Sequence, residues 1–498
     1  MQTSQNIKDV EYIVSIIDNL LSSFGNNVVS SVAYDTAWVA RLANKYENVN
    51  FSASLEWLRQ HQNEDGTWGA PLLHYHDRFA STLAAIVALK ENGTHPKDAH
   101  RVQRGEDALW KLISKLGHDD SDTVGFPIVA MSLVVDATEL GLDVPTPSIR
   151  FARGYQKKVD SLLNQPSRYW LNNPLAFSLE GLYKAVHHTD TVLEANHSVA
   201  SSPAATAAYL MRYEDQNAIQ YLQSIQDEEG GIPALSPINI FEITWSLNHL
   251  YFVGVLQSDH PRVRELLDML WSAWSDTSGL YYSDYFKVPD LDITSASFIL
   301  LNWAGYPVSA DVFEYFELDT HFCTYINETD PSPGSHLRLL TALQHAQDHP
   351  KYDVWVEKVL NALMRFDENG SYWSDKWHAS PYYVNHLAIY ALHNVNNSLI
   401  KSRIQWIIRT QITDGGWGYL DTSTPEETAY CLDALLYYDQ TTERIDPEII
   451  EKAASYLSKY IDYEEFTPLW ISKGLYTPTL IVKSAIVSTL YRFSQWKK

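Results

Sequence analysis

Two aspartates stand close together in the middle of the chain. Asp290 and Asp292 follow Pro289 and precede the apolar run 297–301. This pattern predicts that both carboxylates lie at the start of a helix, where the helix dipole favours negative charge. The pair is then either an N-cap with an acidic first turn or an acid site, in which one carboxyl orients and polarises the proton of the other.

Among the reactions open to such an acid site, protonation of an isolated alkene makes the greatest demand on the acid. A carboxylic acid can do this when it is held protonated and when donors stabilise its conjugate base as the proton leaves. The carbocation that forms must meet aromatic faces and no water. The sequence has 16 Trp and 31 Tyr. Most of them belong to an ordinary core, but a hydrocarbon pocket would be built from the same residue types.

The charge of the chain excludes several classes of partner. Lys and Arg number 37 against 61 Asp and Glu, which gives a net charge of −24. A surface this acidic repels nucleic acid and anionic lipid headgroups. An anionic substrate would therefore need a local basic site.

Cysteine usage and the apolar stretches bear on metal content and location. Cys323 and Cys431 stand in unrelated contexts, which argues against a zinc site and a disulfide framework. The first residues lack a basic segment followed by a long apolar one. The apolar stretch 126–135 is too short for the ~20 residues that span a bilayer. We expect a cytoplasmic protein with no integral membrane segment.

The elements that must position the two aspartates are predicted to be helices. Asp446 and Pro447 match an N-cap and a first helical residue. Apolar side chains then recur on one face, at Ile450, Ala453, Leu457 and Ile461. The segment that starts at Pro261 predicts another helix ending near Trp274. Sustained alternation of polar and apolar residues is scarce, so we expect an all-α protein of many short helices.

A weak internal repeat supports the helical prediction. Segments 62–68 and 411–417 both have the form QxxxGxW, and 226–232 is a degenerate copy that ends in Ile232. Each copy follows a helical stretch, so the glycine allows a turn while Gln and Trp tie adjacent helix ends together. The repeat predicts architecture and no chemistry. No linker rich in Pro, Gly or Ser divides the chain, which favours domains that pack rigidly together.

The segment 31–40, SVAYDTAWVA, resembles the SxYDTAWVA signature of class II diterpene cyclases. Further segments resemble that family in its own order along the chain. They are His76-Asp77-Arg78, Val124-Gly125-Phe126, Ser178-Leu179-Glu180-Gly181, Ser202-Pro203, Gly230-Gly231-Ile232-Pro233, Phe241-Glu242, Asp375-Lys376-Trp377, Glu426-Glu427-Thr428-Ala429-Tyr430 and Leu469-Trp470-Ile471. An ordered series of this length is highly specific, and the compact bacterial members share the DKWH and EETAYC segments.

The resemblance implies a fold of two α-barrel domains, called β and γ, with the active site between them. The γ domain would cover residues 28–254. The β domain would combine an N-terminal helix, 1–27, with residues 255–498. In the family the acid motif is DxDD followed by Thr, and its middle aspartate donates the proton. Asp292 would then be the acid and Asp290 its partner, while this sequence departs from the motif at Ile293.

The resemblance also implies a substrate, geranylgeranyl diphosphate, whose diphosphate is kept. Diphosphate and Mg²⁺ are expected near Asp77 and Arg78, since Asp can hold Mg²⁺ and Arg can bind phosphate through a bidentate fork. A structural ion pair at a helix start is the alternative for these two residues. Trp377 is the candidate for stabilising the carbocation, and a separate class I terpene synthase is the expected partner acting on the product.

Two residues bear on the product. In plant enzymes that make ent-copalyl diphosphate, a His and an Asn hold the water that deprotonates the bicyclic cation. The matching positions here are Phe177 and Ala234. With no base there, and an aromatic face in its place, we expect hydride and methyl shifts and a rearranged bicycle of halimane or clerodane type. A base elsewhere, with His197 as a candidate, would instead give an unrearranged copalyl stereoisomer.

Several alternatives stay open from the sequence. Within the same chemistry, the substrate could be farnesyl diphosphate, giving drimenyl diphosphate, or a prenylated aromatic acid. Outside it, an α/α-barrel glycan hydrolase or a non-catalytic isoprenoid-binding barrel would share the acidic, Trp-rich composition. A hydrolase needs carboxylates about 5–9 Å apart across a cleft, which two residues so close in sequence do not provide. Class I chemistry is disfavoured, since 119–123 has the wrong spacing for DDxxD and predicts a solvated loop.

Overall fold

A computed structural model describes residues 10–46, 48–147, 156, 159–160, 169–184, 192–328, 330–367, 370–393 and 395–496. Helices make up nearly all of the regular structure in these ranges, as the helical periodicity and the proline-marked helix starts predict. The all-α prediction is confirmed. The chain divides into two compact units. Unit 1 comprises Met1–Val28, Ile238–Thr467 and Pro478–Lys498, and unit 2 comprises Val29–Pro237 and Pro468–Thr477.

The described residues of unit 2 form seven α-helices, two 3₁₀ helices and a short hairpin. The α-helices are α2 (Ala33–Ala40), α3 (Ser52–Gln60), α4 (Tyr75–Asn92), α5 (Asp98–Leu112), α6 (Phe126–Glu139), α7 (Pro203–Arg212) and α8 (Gln216–Ile225). The 3₁₀ helices are Ile113–His118 and Pro174–Leu182, and the antiparallel strands are β1 (Trp470–Ile471) and β2 (Leu475–Tyr476).

In unit 1 the described residues form α1 and ten later α-helices. They are α1 (Val10–Ser23), α9 (Asn239–Phe252), α10 (Pro261–Ala273), α11 (Leu291–Trp303), α12 (Pro333–Leu343), α13 (Tyr352–Phe366), α14 (Pro381–Leu392), α15 (Asn397–Arg409), α16 (Pro425–Thr441), α17 (Pro447–Leu457) and α18 (Thr479–Trp496). Short 3₁₀ helices lie at Ala310–Phe316 and Ser458–Tyr460.

The helices of unit 1 close into a barrel. Helix α9 packs on α11, α11 on α12, α12 on α14, α14 on α16, α16 on α18, and α18 returns to α9. All residues of α12 and α14 are buried, as expected of helices inside a ring. Helices α10, α13, α15 and α17 pack outside it, and α10 buries one face only. Unit 1 is therefore an α-barrel with an inner and an outer layer.

Unit 2 repeats this plan with fewer described elements. Helix α4 packs on α2 and α6, α6 packs on the 3₁₀ helix Pro174–Leu182, and α7 packs on both that helix and α2. Helices α3, α5 and α8 pack outside this ring. Together the two units confirm the prediction of two α-barrel domains.

The division of the chain differs from the predicted one at two places. The boundary lies between residues 237 and 238, not between 254 and 255, because α9 closes the ring of unit 1. Glu242 of α9 also accepts the amides of Gly25 and Val28, at 2.8 and 2.9 Å, and so ties the segment after α1 to this barrel. The second difference is Pro468–Thr477, which belongs to unit 2 although the sequence around it belongs to unit 1.

The QxxxGxW repeat forms the same hydrogen bonds in both full copies. Trp68 and Trp417 each donate Nε1–H to the carbonyl ten residues earlier, at 2.7 Å. The amides of Gln62 and Gln411 each donate to the glycine carbonyl of the motif, at 2.9 Å. Trp373 makes the same tryptophan bond, to Leu363 at 3.1 Å. It marks a further copy that the sequence pattern did not reveal.

Cys323 and Cys431 are both free and buried. Over the described ranges, no helix is long and apolar enough to cross a membrane.

Candidate active site

The first aspartate of the pair begins helix α11. Asp290 Oδ1 accepts the backbone amides of Asp292 and Ile293, at 2.8 and 3.1 Å. Its own amide donates to the carbonyl of Leu280 at 2.8 Å. The predicted N-cap is confirmed, and it fixes the orientation of the first helical turn, where Asp292 lies.

The second aspartate faces a buried arginine. Asp292 is 8% exposed, and its Oδ1 lies 2.9 Å from Nε of Arg338 on α12. Neither of these two atoms has a well-aligned hydrogen bond among the described residues, so the guanidinium and the carboxyl are in close contact without an aligned hydrogen bond. The guanidinium lies over the ring of Trp245, 4.1 Å from its centroid, and donates from Nη2 to the hydroxyl of Tyr383 at 2.9 Å.

Burial decides the protonation state of the pair. It raises the pKa of Asp292 to about 8, against the opposing effect of Arg338 and with help from the negative charges of Asp290, Asp375 and Glu328. Burial also raises the pKa of Asp290 to about 7, although two backbone amides favour its charged form. Asp292 is therefore held largely protonated near neutral pH, which is what an acid for an alkene requires.

Three further charged groups surround the pair. Glu328 forms an ion pair with Lys376. Asp375 accepts the hydroxyl of Ser332 at 2.6 Å through Oδ1, while its Oδ2 is buried without a partner among the described residues. The Lys376 ammonium lies 5.0 Å from the centroid of the Trp377 ring. The ring predicted to stabilise a carbocation is thus half-buried and already has a cation beside it.

The sequence analysis missed Arg338 and the aromatic groups around it. Tyr383 is stacked with His378 at 4.7 Å and packs edge-on against Tyr430 at 5.5 Å. Trp245 donates to the Tyr383 hydroxyl at 3.1 Å. These side chains come from α9, α14, α16 and the segment before α14, so no local pattern brings them together. One signal was visible: Arg338 interrupts an apolar helix with a charge.

Asp77 in unit 2, predicted to hold Mg²⁺, is bound by the protein itself. Its Oδ2 accepts the amide of Ala70 at 2.8 Å, and its Oδ1 accepts the hydroxyl of Ser81 at 3.1 Å and the amide of Leu475 at 3.3 Å. Burial raises its pKa. A buried carboxylate whose two oxygens already accept three hydrogen bonds from the protein is poorly placed to serve as a Mg²⁺ ligand.

Arg78, predicted to bind diphosphate, is engaged in the same way. It donates from Nε to the carbonyl of Ala70 at 2.8 Å, from Nη1 to the hydroxyl of Thr67 and from Nη2 to the carbonyl of Pro71 at 3.1 Å. The side chain is 6% exposed. Its contacts favour the structural alternative: together with Asp77, it holds the loop before α4.

Part of the predicted solvated loop 119–123 is also folded against α4. Asp119 accepts the amides of Tyr75 and His76, at 3.0 and 2.8 Å, and Nδ1 of His76 lies 2.7 Å from it. His74, His76 and Asp119 form the group in the described part of the chain whose atoms could surround a metal ion. Burial favours the neutral form of the His76 imidazole, but its hydrogen bonds to Asp119 and Asp122 outweigh this effect and raise its pKa to about 9. The cluster is therefore a buried ion pair, and its nitrogen ligands suit Mg²⁺ poorly.

The hairpin of unit 2 brings a lysine to the position predicted to govern the product. Lys473 is fully buried and pairs with Glu180 at 2.8 Å. Its ammonium lies 4.6 Å from the centroid of the Phe177 ring and donates to the Phe177 carbonyl at 2.9 Å. Burial raises the pKa of nearby Asp35 to about 7 despite Lys473. Ala234 is completely buried. The sequence analysis did not detect this group of charges.

His197, the alternative base, lies in a different setting. It borders an open surface pocket of about 500 Å³ together with Tyr221 and Ser236. Its side chain is 42% exposed and lies 3.9 Å from Asp215. A carbocation is protected from water only in a closed site, so this environment does not favour His197 as the base.

Comparison with known proteins finds relatives that match nearly the whole chain. The sequence is 34% identical over 486 residues to the Type B diterpene cyclase of Mycobacterium tuberculosis, covering 93% of this chain and 96% of that protein. It is 32% identical over 326 residues to a (−)-kolavenyl diphosphate synthase of Tripterygium wilfordii, covering 64% of this chain and 40% of that protein. The structure matches ent-copalyl diphosphate synthase from Streptomyces platensis with a TM-score of 0.83 at 25% identity, covering 97% of this chain and all of that one.

No protein-family model matches the chain. The match to the mycobacterial cyclase over nearly the whole of both proteins nonetheless shows the family. The chain belongs to the class II diterpene cyclases and is an enzyme of that class. The glycan hydrolase and the non-catalytic barrel are thereby set aside.

Proposed function

We propose that this enzyme cyclises geranylgeranyl diphosphate and that Asp292 starts the reaction as the acid. The O–H bond of Asp292 breaks, and the electron pair of the terminal alkene forms a new C–H bond with the proton. The tertiary cation is then attacked by the neighbouring alkenes, which closes two rings. A proton finally leaves carbon, so the reaction is an isomerisation. The supporting observation is a buried carboxyl whose pKa is raised to about 8 at the start of α11.

The two aspartates have different parts in this proposal. Asp292 touches the substrate and is the catalytic residue. Asp290 holds the first turn of α11 through its bonds to the amides of Asp292 and Ile293, and its charge helps to keep Asp292 protonated. Trp377 remains the proposed aromatic face for the cation, in competition with Lys376.

The proposed product is a rearranged bicycle of halimane or clerodane type. An unquenched cation has time for 1,2-hydride and methyl shifts, and neither Phe177 nor Ala234 can act as a base. The similarity to a Type B diterpene cyclase and a kolavenyl diphosphate synthase supports this product. The Phe177 ring supports a rearranged product less than the sequence suggested. The Lys473 ammonium already makes a cation–π contact with this ring, so the ring stabilises a second cation less well.

The diphosphate acts as an anchor in this proposal, and Mg²⁺ enters as its counterion. With a net charge of −24, the enzyme attracts a substrate more readily when a cation neutralises part of its charge. Asp77 does not fit a Mg²⁺ ligand, so no step is assigned to a metal held there. The product keeps its diphosphate and is a substrate for a separate class I synthase. A bacterial origin and a cytoplasmic location complete the proposal, and the similarity to the mycobacterial enzyme over nearly the whole of both chains supports the bacterial origin.

The test is direct incubation with geranylgeranyl diphosphate. The expected result is a cyclic product that still carries diphosphate, identified after dephosphorylation by mass spectrometry and NMR. Farnesyl diphosphate and a prenylated aromatic acid serve as competing substrates. Faster turnover of either one would replace the proposed substrate and keep the class of chemistry.

A further inference from the structure

We propose that Arg338 is a positioning residue that sets the acid strength of Asp292, by stabilising its carboxylate as the proton leaves. The proposal rests on the proposed role of Asp292 as the acid. It concerns a residue that does not itself donate a proton, because an arginine side chain stays charged in proteins.

The burial and the contacts of Arg338 suit a residue that acts on the Asp292 carboxyl. It lies in α12, in which every residue is buried, and is itself 5% exposed. Its Nε is 2.9 Å from Asp292 Oδ1, its Nη2 donates to Tyr383, and its flat guanidinium covers the Trp245 ring. The indole and the hydroxyl hold the guanidinium in place against one oxygen of the acid.

The contact with the acid is close but incompletely bonded. Nε of Arg338 and Oδ1 of Asp292 are both buried without an aligned partner among the described residues. The facing atoms of another buried pair, Arg403 and Asp367, share this feature, so the poor alignment does not by itself distinguish Arg338. What distinguishes Arg338 is that the carboxyl it contacts is the proposed acid.

The other charged groups facing Asp292 have the opposite sign. Asp290 precedes α11, Glu328 lies in the segment before α12, and Asp375 lies before α14; all three raise the pKa of Asp292. Lys376 is engaged with Glu328. Arg338 is therefore the nearest cation to Asp292 in the described part of the site.

On its other side Arg338 meets uncharged or paired groups. A cavity of about 20 Å³ lies there, lined by His249 and His386 among others. Burial lowers the pKa of His249 to about 3, so it is neutral. His386 is paired with Asp433 at 2.8 Å. Tyr383 and Tyr430 have pKa values raised by burial and stay protonated.

These surroundings give Arg338 two partners in turn. Before proton transfer the Asp292 carboxyl is neutral, and the guanidinium is balanced by the Trp245 face and the Tyr383 hydroxyl. After transfer Asp292 is an anion and Arg338 is its counterion. Burial and the three carboxylates hold the proton on Asp292, and Arg338 favours its departure. The acid is therefore both protonated at rest and strong when it reacts.

The experiment compares the pH profiles of turnover for the parent, Arg338→Gln and Arg338→Lys. Without the cation, the conjugate base is less stable. We expect the kcat plateau of Arg338→Gln to fall at least about 10-fold while its alkaline limb moves up by about 1–3 pH units. KM should change little, because Arg338 does not hold the diphosphate. Arg338→Lys keeps the charge, so its alkaline limb should stay near that of the parent.

The matched control is Arg403→Gln. Arg403 is also completely buried, lies 3.7 Å from the centroid of the Trp373 ring and pairs with Asp367 at 2.6 Å, but it does not contact the acid. The Arg403→Gln variant should have a lower melting temperature than the parent, while the alkaline limb of its pH profile should stay where it is in the parent. If Arg338→Gln does not fold, Tyr383→Phe removes the hydroxyl that holds the guanidinium and should shift both quantities in the same directions by less.

The outcomes separate this inference from the proposed function. A lower plateau without an upward shift of the limb, or parent-like values in both, would overturn the role of Arg338. An active Asp292→Asn variant would overturn the acid itself. An inactive Asp292→Asn together with a parent-like Arg338→Gln leaves the acid in place and rejects Arg338 alone.

Discussion

The ammonium of Lys473 lies 4.6 Å from the centroid of the Phe177 ring. The sequence pointed to Phe177 as an aromatic face in place of a base. The structure adds a permanent cation against that ring, from a hairpin almost 300 residues away in sequence. A second positive charge on the same ring is less well stabilised. The prediction of a rearranged product therefore depends on the missing base more than on the ring.

Phe177→His together with Ala234→Asn should restore the two groups that hold a deprotonating water in the plant enzymes. We expect the product to change from a rearranged bicycle toward an unrearranged bicycle with an exocyclic alkene, measured as the ratio of dephosphorylated products. Phe177→Leu is the control, since it removes the ring and adds no base. An unrearranged product from the parent enzyme would show that the inference from these two positions is wrong, while the class of enzyme would stand.

Asp292→Asn should abolish cyclisation and leave the fold intact, because the amide has no acidic proton of the required strength. Far-UV circular dichroism checks the fold and product analysis checks activity. Turnover near that of the parent in a well-folded variant would rule out Asp292 as the acid.

Two variants distinguish the helix-capping role of Asp290 from the effect of its charge on Asp292. Asparagine caps helices as well as aspartate does, so Asp290→Asn should keep stability and lower turnover while leaving some activity. Asp290→Ala also loses the bonds to the amides of Asp292 and Ile293 and should cost about 1 kcal/mol of stability as well. Equal turnover in Asp290→Asn and the parent would limit Asp290 to the cap.

The raised pKa of Asp292 links activity and stability to pH. Only the protonated acid reacts, so kcat should fall as pH rises through about 8. In the unfolded chain the pKa returns to its ordinary value near 4. The stability contributed by the neutral carboxyl is thus fully present below that value and is lost as pH rises through the folded pKa.

The Asp292→Asn variant has no carboxyl to ionise at this position, so it does not lose this stability as pH rises. We therefore expect it to melt at a higher temperature than the parent above neutral pH, with the difference shrinking in acid. Thermal melts across the pH range measure this, and Asp375→Asn tests whether the effect is specific to the acid. A melting temperature of Asp292→Asn at or below that of the parent in alkaline buffer would contradict the raised pKa.

The fate of the diphosphate distinguishes the two classes of terpene chemistry. We expect no inorganic diphosphate in step with turnover, measured by a coupled phosphate assay. Chelation of Mg²⁺ should raise KM more than it lowers kcat, because the ion neutralises the anchor and takes no part in the protonation. Stoichiometric release of diphosphate would mean class I chemistry.

The structure alters the effect that we expect of Arg78→Ala. The sequence suggested a diphosphate ligand, but the guanidinium donates to Ala70, Thr67 and Pro71. We expect a lower melting temperature, by the loss of several buried hydrogen bonds, and a substrate constant that recovers when the variant is assayed well below its melting point. A raised KM with an unchanged melting temperature would restore the role in diphosphate binding.

The sequence by itself determined the fold class, several helix starts and the position of the two aspartates at the start of α11. Asp290 caps α11 and Pro447 begins α17, because capping and proline geometry act over three or four residues. The two full QxxxGxW copies also make equivalent bonds, since their donors and acceptors lie within or near each motif. The ordered family motifs determined the class of enzyme, because they are local strings that survive at 34% identity.

The tertiary structure alone decided what surrounds those residues. Arg338 meets Asp292 because α11 and α12 are neighbours in a closed ring, and Lys473 meets Phe177 because a late hairpin joins the earlier barrel. Burial then raises the pKa of Asp292 to about 8. It also places Asp77, which the sequence suggested as a metal ligand, where its carboxylate accepts hydrogen bonds from the protein. Burial and long-range charge depend on every helix of a barrel at once, so no local pattern contains them.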